Sequence, residues 1–357
     1  MSDQIWLDIT EISGDIGMIL SLVGNSIVLM LLVNNPLTGI GSYRYIMATF
    51  AIYSLLYTAI ETFIRPLMHH YDNTLWVIQR KRFNYSSSVS RALSATYCGF
   101  FAMSFVLFAS HFIYRYFVAC RPEKVKLFEG RNFIYWLLII LFVAGGWWAV
   151  AFFLFQEDQE TMNSLNTFLE SSYGLSYSQI GHVPYSFYHT VGTVRELRIG
   201  NCLGVVHHLI VMQIAIMTVF YYGYQTHSSI LAIKGRSQLT RDLQQQFFTA
   251  LVAQTTIPLL FMFIPNSVLS IAAFVNGNFG AWANVTVIMT HIYPGIDPFV
   301  LIFLIRGFRQ TIKDFLCLRF TGKSSSPGSM QSSMMTKLDV KRSKSLSSVA
   351  QSVHTIG

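Results

Sequence analysis

The 357-residue sequence is 52% hydrophobic, carries charge on only 12% of its residues and has a formal net charge of +8. A soluble domain has roughly a quarter of its residues charged, so a chain of this size lacks the polar surface for a water-exposed globule; lipid must cover the rest. The positive excess falls in the segments between and after the apolar runs, where it faces anionic headgroups and is no argument for nucleic acid.

A helix crossing the hydrocarbon needs about 20 apolar residues. Runs of that kind predict seven spans, near residues 15–33, 44–66, 92–119, 132–155, 200–224, 247–274 and 283–305, with a turn at Asn276–Gly280. The second span contains Glu61 and Arg65, spaced to pair with each other along the helix. The fold class is therefore all-α, a seven-transmembrane helix bundle. Lys and Arg mark the inner side of a membrane protein. With the N-terminus outside, 18 of these residues fall inside and 7 fall outside, so that topology is expected. The acidic start (Asp3, Asp8, Glu11, Asp15) does not resemble a cleavable signal peptide.

Two outer loops are long, near 67–91 and 157–199, and fit either a lid over a pocket or a disordered polar excursion. Asn84 in Asn84-Tyr85-Ser86 is an N-glycosylation candidate. After the seventh span, Phe308, Ile312, Phe315 and Leu316 share one helical stripe and Arg306, Arg309 and Lys313 another. This predicts a short amphipathic helix at 306–319. Its Cys317 is a palmitoylation candidate or a plain lipid-facing thiol. Residues 320–357 read as a disordered, serine-rich basic tail. Cys98 and Cys202 form a disulfide only if both side chains turn inward at one depth.

No phosphate loop, HExxH or GxSxG is present, so no enzymatic activity, cofactor or metal is expected. What remains is a set of polar groups inside the membrane, which usually face the bundle interior. Tyr97, Phe101, Ser104, Phe105, His207, Gln254, Pro258, Asn266 and His291 are candidates for the lining of an apolar pocket. Such a pocket suits a small, weakly polar ligand. For many of these side chains helix packing is an equal explanation. Pro258 and Pro265 are expected to kink the sixth span. Arg115 lies 23 residues into the third span, about 35 Å at 1.5 Å per residue. It should therefore emerge at the inner interface, either as a snorkelling arginine or as a working group.

Four stretches, Tyr43–Pro66, Arg80–Ser86, His111–Phe117 (HFIYRYF) and Tyr293–Arg309 (YPGIDPFVLIFLIRGFR), resemble the nematode seven-transmembrane chemoreceptors of the Str class. The similarity runs to about Arg319. It implies a G-protein-coupled receptor for an odorant or secreted small molecule, in the plasma membrane of sensory-neuron cilia. A heterotrimeric G protein would be its partner, with arrestin and a receptor kinase as further partners for the tail. It also implies G-protein coupling at Arg115, Tyr116 and Arg121, and a switch at Asp297-Pro298. The sequence departs from rhodopsin-like receptors in two places. Tyr114 stands where an acid would precede the arginine, and no tyrosine follows Asp297-Pro298. A ligand-gated channel with the N-terminus inside is opposed by the charge count. A transporter is opposed by the lack of internal repeats.

Overall fold

The computed structural model describes residues 3–34, 41–71, 73–155, 157–191, 193–232, 238–275 and 277–321. Seven of its helical segments are long and apolar enough to cross a membrane. They are α1 (Ile5–Asn34), α2 (Tyr43–Ile64), α3 (Ser87–Cys120), α4 (Arg131–Phe153), α6 (Ile199–Ala232), the pair α7 (Gln238–Pro258) and α8 (Ile264–Phe274), and α9 (Asn284–Leu304). The first helix begins ten residues before the apolar run: a bilayer fixes the length of the crossing, and a helix can continue past it. α7 and α8 are joined by one π-helical turn, Leu259–Phe263, flanked by Pro258 and Pro265. A proline cannot donate to the preceding turn, and the widened turn absorbs that loss.

The described residues of the loops between spans 2 and 3 and between spans 4 and 5 form strands and short helices, which the sequence left open. β1 (Pro66–Tyr71) and β2 (Thr74–Arg80) form a hairpin, and β3 (Ile180–Ser186) adds antiparallel to β2, giving the order β1-β2-β3. Asn73 closes the hairpin at φ +60°, a conformation asparagine tolerates. His70 and Gly280 exchange two backbone hydrogen bonds of 3.1 Å, so the chain entering α9 extends the sheet edge. A short helix α5 (Gln159–Phe168) lies over the sheet, and β4 (Tyr188–Val191) with β5 (Val194–Leu197) forms a second hairpin.

Strand alternation explains why the sheet sits where it does. Side chains point to opposite faces at successive residues. Leu75, Val77, Val183 and Tyr185 join the core of the bundle. Trp76, Ile78 and Ile180 join a separate cluster with Leu165, Phe168 and Tyr173. The sheet is thus a middle layer between the helices and α5, closing one end of the bundle (the sheet end; the other is the far end).

Arg65 corrects the sequence reading. It caps α2 in the left-handed conformation, φ +50°, which turns its side chain away from Glu61. It pairs instead with Glu11 on α1, which Arg80 also approaches at 3.4 Å. Glu61 is buried, beside Tyr57, and has no ion-pair partner among the described residues.

Residues up to Arg306 form one compact unit. The last helix, α10 (Arg306–Thr321), is present as expected from its amphipathic pattern. Its Cys317 side chain and the serine-rich stretch 322–357 lie outside the described residues.

Candidate ligand cavity and far-end arginine

Beneath the sheet lies an internal cavity of about 50 Å³. Met68, Leu75, Val77 and Tyr185 roof it, and Tyr97, Phe101, Trp147, His208, Met212, Met262, Asn266, Thr286 and Thr290 are among its walls. No charged side chain lines it. Its threonine and serine hydroxyls are turned back on their own helices, as in Thr290 donating to Thr286 O at 2.7 Å and Ser270 to Asn266 O at 3.0 Å. Trp147 Nε1 and His208 Nδ1 are buried without a partner.

Three of the nine residues read as pocket candidates, Tyr97, Phe101 and Asn266, line this cavity. The others do different work. Ser104 donates to Phe101 O at 2.7 Å. Phe105 packs against Phe263 with ring centroids 3.9 Å apart. His207 is displaced by its neighbour: His208 stacks on Trp147, with centroids 3.8 Å apart and planes 4° apart. Adjacent helical residues point about 100° apart, so only one of the pair faces inward. Gln254 donates to Asp297 Oδ2 at 2.7 Å. Pro258 ends α7. His291 faces α1, where it shares a hydrogen bond of 3.0 Å with Ser13. The phase of each helix about its own axis decided these cases, and the sequence does not fix that phase. The roof was missed with the strands. Its signal was there, in apolar residues on either side of Asn73, such as Met68 and Leu75–Ile78.

Cys98 and Cys202 are both free. Cys98 receives a hydrogen bond from the Tyr185 hydroxyl at 3.8 Å, which ties the roof to α3.

The lid over the sheet is held by two carboxylates. Glu157 accepts from His182 Nε2 at 2.5 Å and from the Tyr177 hydroxyl at 2.9 Å, with Arg91 at 3.5 Å. Asp158 caps α5 through Thr161 N at 2.9 Å and pairs with Arg198 at 2.5 Å. Burial pushes both carboxyls up. For Glu157, the His182 and Tyr177 bonds and the Arg91 charge outweigh burial and hold it below its usual range. For Asp158, Arg198 and Thr161 do the same and bring it to about 2. A depressed folded pKa adds stability above the unfolded pKa, and that stability is lost as pH falls through the folded value. For Asp158 the window runs from its ordinary 3.8 down to about 2. Acidification through that window is expected to loosen the lid. Faster hydrogen exchange in 157–198 would show it, and Asp158→Asn should blunt the pH dependence.

At the far end, Arg115 does not snorkel. It is only 3% exposed, because the N-terminus of α2 and the start of α7 enclose it at headgroup depth. Its guanidinium lies 3.6 Å from the Tyr43 ring centroid and 4.4 Å from that of Phe247. It donates to Gln244 Oε1 at 3.3 Å. Nε and Nη2 have no hydrogen-bond partner among the described residues. Tyr114 stacks on Tyr43, centroids 5.2 Å apart, and so supports the ring that holds the arginine. Tyr116 packs on Tyr222 at 5.0 Å, and Arg121 is exposed at the end of α3. Asp297, just before Pro298 in α9, also accepts from Tyr293 at 3.2 Å. α7 is therefore tied to α3 through Arg115 and to α9 through Asp297.

The family model for the serpentine type 7TM GPCR chemoreceptor Str matches residues 10–313. The chain belongs to the Str chemoreceptor family. It is 37% identical over 318 residues to serpentine receptor class r-10 of Caenorhabditis elegans, covering 89% of this chain and 94% of that protein. Its identity to the Caenorhabditis briggsae protein of the same name is 36% over 321 residues, with the same coverage of 89% and 94%. G-protein coupled receptor str-217 of C. elegans is 26% identical over 303 residues, covering 84% of this chain and 87% of that one. This Str chemoreceptor is a multi-pass membrane protein of a receptor family, not an enzyme family.

Proposed function

We propose that this Str receptor senses a small, neutral odorant or secreted metabolite in the cavity beneath the sheet and activates a heterotrimeric G protein at the far end. The observation that carries this reading is the cavity itself: set beneath the sheet, largely apolar and, among the described residues, free of charged side chains. A charged ligand would lose its hydration there without a counter-charge. At about 50 Å³ the cavity is well below the roughly 300–1,000 Å³ of small-molecule sites, so its walls must part to admit even a ligand of volatile size. Asn266 and Trp147 can donate to an acceptor such as a carbonyl or ether oxygen.

The topology in this reading puts the sheet end outside, with Asn84 exposed for glycosylation, and the far end in the cytoplasm. Arg115, Tyr116 and Arg121 then face the G protein. The two unpartnered donors of Arg115 are suited to acceptors on an inserted helix, once α7 moves away. Asp297-Pro298 is the switch that releases α7 from α9. A ligand drives this only through a difference in affinity between the two states. The receptor would act in the cilium of a sensory neuron, with arrestin and a receptor kinase engaging the serine-rich tail and Cys317 as the lipidation site.

The test is expression with a promiscuous G protein and a screen of small volatiles and secreted metabolites. Glycosidase sensitivity that Asn84→Gln abolishes checks the topology. For an active ligand, Asn266→Leu is expected to raise the half-maximal concentration about tenfold, the worth of one hydrogen bond. Ser104→Ala, which is outside the cavity, should leave it unchanged. Failure of a surface-expressed receptor to couple to any G protein would overturn the reading.

A further inference from the structure

A second cavity, of about 350 Å³, lies between α3, α6 and α7 toward the far end. It falls in the size range of small-molecule sites, about 300–1,000 Å³. Its walls are apolar, with Phe108, Phe112, Val219, Phe248, Val252 and Leu259 among them. It exists because α6 packs along α3 but scarcely touches α7. Gly223 contributes to the gap: a Cβ there would stand 3.1 Å from the Phe112 ring.

Depth and polarity identify the occupant. Tyr224 and His227 are 25 and 28 residues from the start of α6, about 37 and 42 Å along its axis. The hydrocarbon is only about 30 Å thick, so these two sit at headgroup level. The other end, at Ala215, is about 24 Å along the same axis, inside the hydrocarbon. The cavity therefore runs over about 18 Å from the hydrocarbon to headgroup level. Its polarity is graded in the same direction. Thr255 and Thr256 donate to Leu251 O at 2.9 Å and Val252 O at 2.8 Å, leaving no hydroxyl proton for a guest. Tyr224 and His227 form the polar end, with the His227 ring 5.9 Å from that of Phe248. Thr256 and Val252 are lipid-exposed at the mouth, so the crevice opens sideways into the bilayer.

We propose that this crevice binds one acyl chain of a membrane phospholipid, with the headgroup beside Tyr224 and His227 and the chain end against Phe105 and Phe263. These two rings also stand between the crevice and the cavity beneath the sheet, so the chain is a second ligand next to the first. The site depends only on the membrane-crossing helices and is independent of the odorant reading.

The experiment places the full chain in nanodiscs containing phosphatidylcholine with a diazirine at the end of one chain, followed by irradiation and peptide mapping. Adducts are expected to concentrate on 105–108, 215–219 and 259–263, the walls around the chain end. Thr256→Trp at the mouth should lower them about tenfold by filling the guest's space, and Val252→Trp on the same wall serves if the first variant folds poorly. Leu138→Trp, on the exposed face of α4, should change nothing. Adducts spread evenly over all lipid-facing helices, or unchanged in both crevice variants, overturn the proposal. So does their removal by a small soluble volatile, which would assign the crevice to that ligand instead.

Discussion

Arg115→Ala is expected to give a receptor that reaches the surface and binds ligand but does not signal, whereas Phe247→Ala is expected to signal without ligand. The two variants remove different halves of one contact. In the structure the guanidinium is clamped between Tyr43 on α2 and Phe247 on α7, and bonded to Gln244. A desolvated cation–π contact contributes about 2 kcal/mol. Loss of the Phe247 ring frees α7 but leaves the arginine available to a partner. A shift of one to two kcal/mol changes a two-state ratio about 5- to 30-fold, and basal nucleotide exchange on an added G protein should rise by that order. Gln244→Ala should act in the same direction by less. Arg115→Ala also releases α7, yet it removes the donors that a G-protein helix would meet, so coupling falls whatever the position of α7. Basal exchange in Phe247→Ala equal to that of the parent would show that the clamp does not restrain α7. Full coupling by Arg115→Ala would return the arginine to a packing role.

The clamp also answers a question the sequence poses. With Tyr114 in place of an acid, nothing near Arg115 in the chain can hold it. The restraint comes from rings 72 residues before and 132 after it in sequence. Contacts at that separation depend on how the helices are rotated and paired, which a single sequence does not encode visibly. The spans were legible because a bilayer demands long charge-free runs, and the amphipathic last helix because its two stripes repeat at helical spacing. The sheet was not, since its strands are only six or seven residues long, and apolar runs that short stand out little beside spans of about 20 residues. The Glu61–Arg65 pair shows the same limit from the other side. Its spacing was right for a helix, but the helix ends at Ile64 and Arg65 turns left-handed toward Glu11.

The largest loss of folded protein is expected at Gly17, in the contact of α1 with α9. Without a hydrophobic force between helices in lipid, close approach relies on small residues. Three glycines make that approach here. A Cβ on Gly17 would lie 2.1 Å from the backbone oxygen of His291, one on Gly24 2.5 Å from Pro298 Cγ, and one on Gly295 2.6 Å from Leu20 Cβ. The first of these meets main chain, which cannot rotate aside, so Gly17→Val should exceed the usual overpacking cost of about 1–3 kcal/mol. Surface expression should fall sharply and the melting temperature in detergent with it. Gly145→Ala on α4 is the control: nothing lies within 4 Å of its added Cβ, and alanine in a helix is favoured over glycine by about 0.5–1 kcal/mol. A hydrogen bond makes the same seam exacting. Pro298 has no N–H for the carbonyl of Pro294, and Asn25 Nδ2 supplies the missing donor from α1 at 3.1 Å. Asn25→Leu would leave that buried carbonyl unsatisfied, at about 1–3 kcal/mol. Because α9 also carries Thr290 at the cavity and Asp297 at the tie to α7, a seam that shifts without unfolding should weaken ligand response and restraint together. Normal expression of Gly17→Val would mean that α1 can back away from α9, and the tight seam would then not be what positions those two residues.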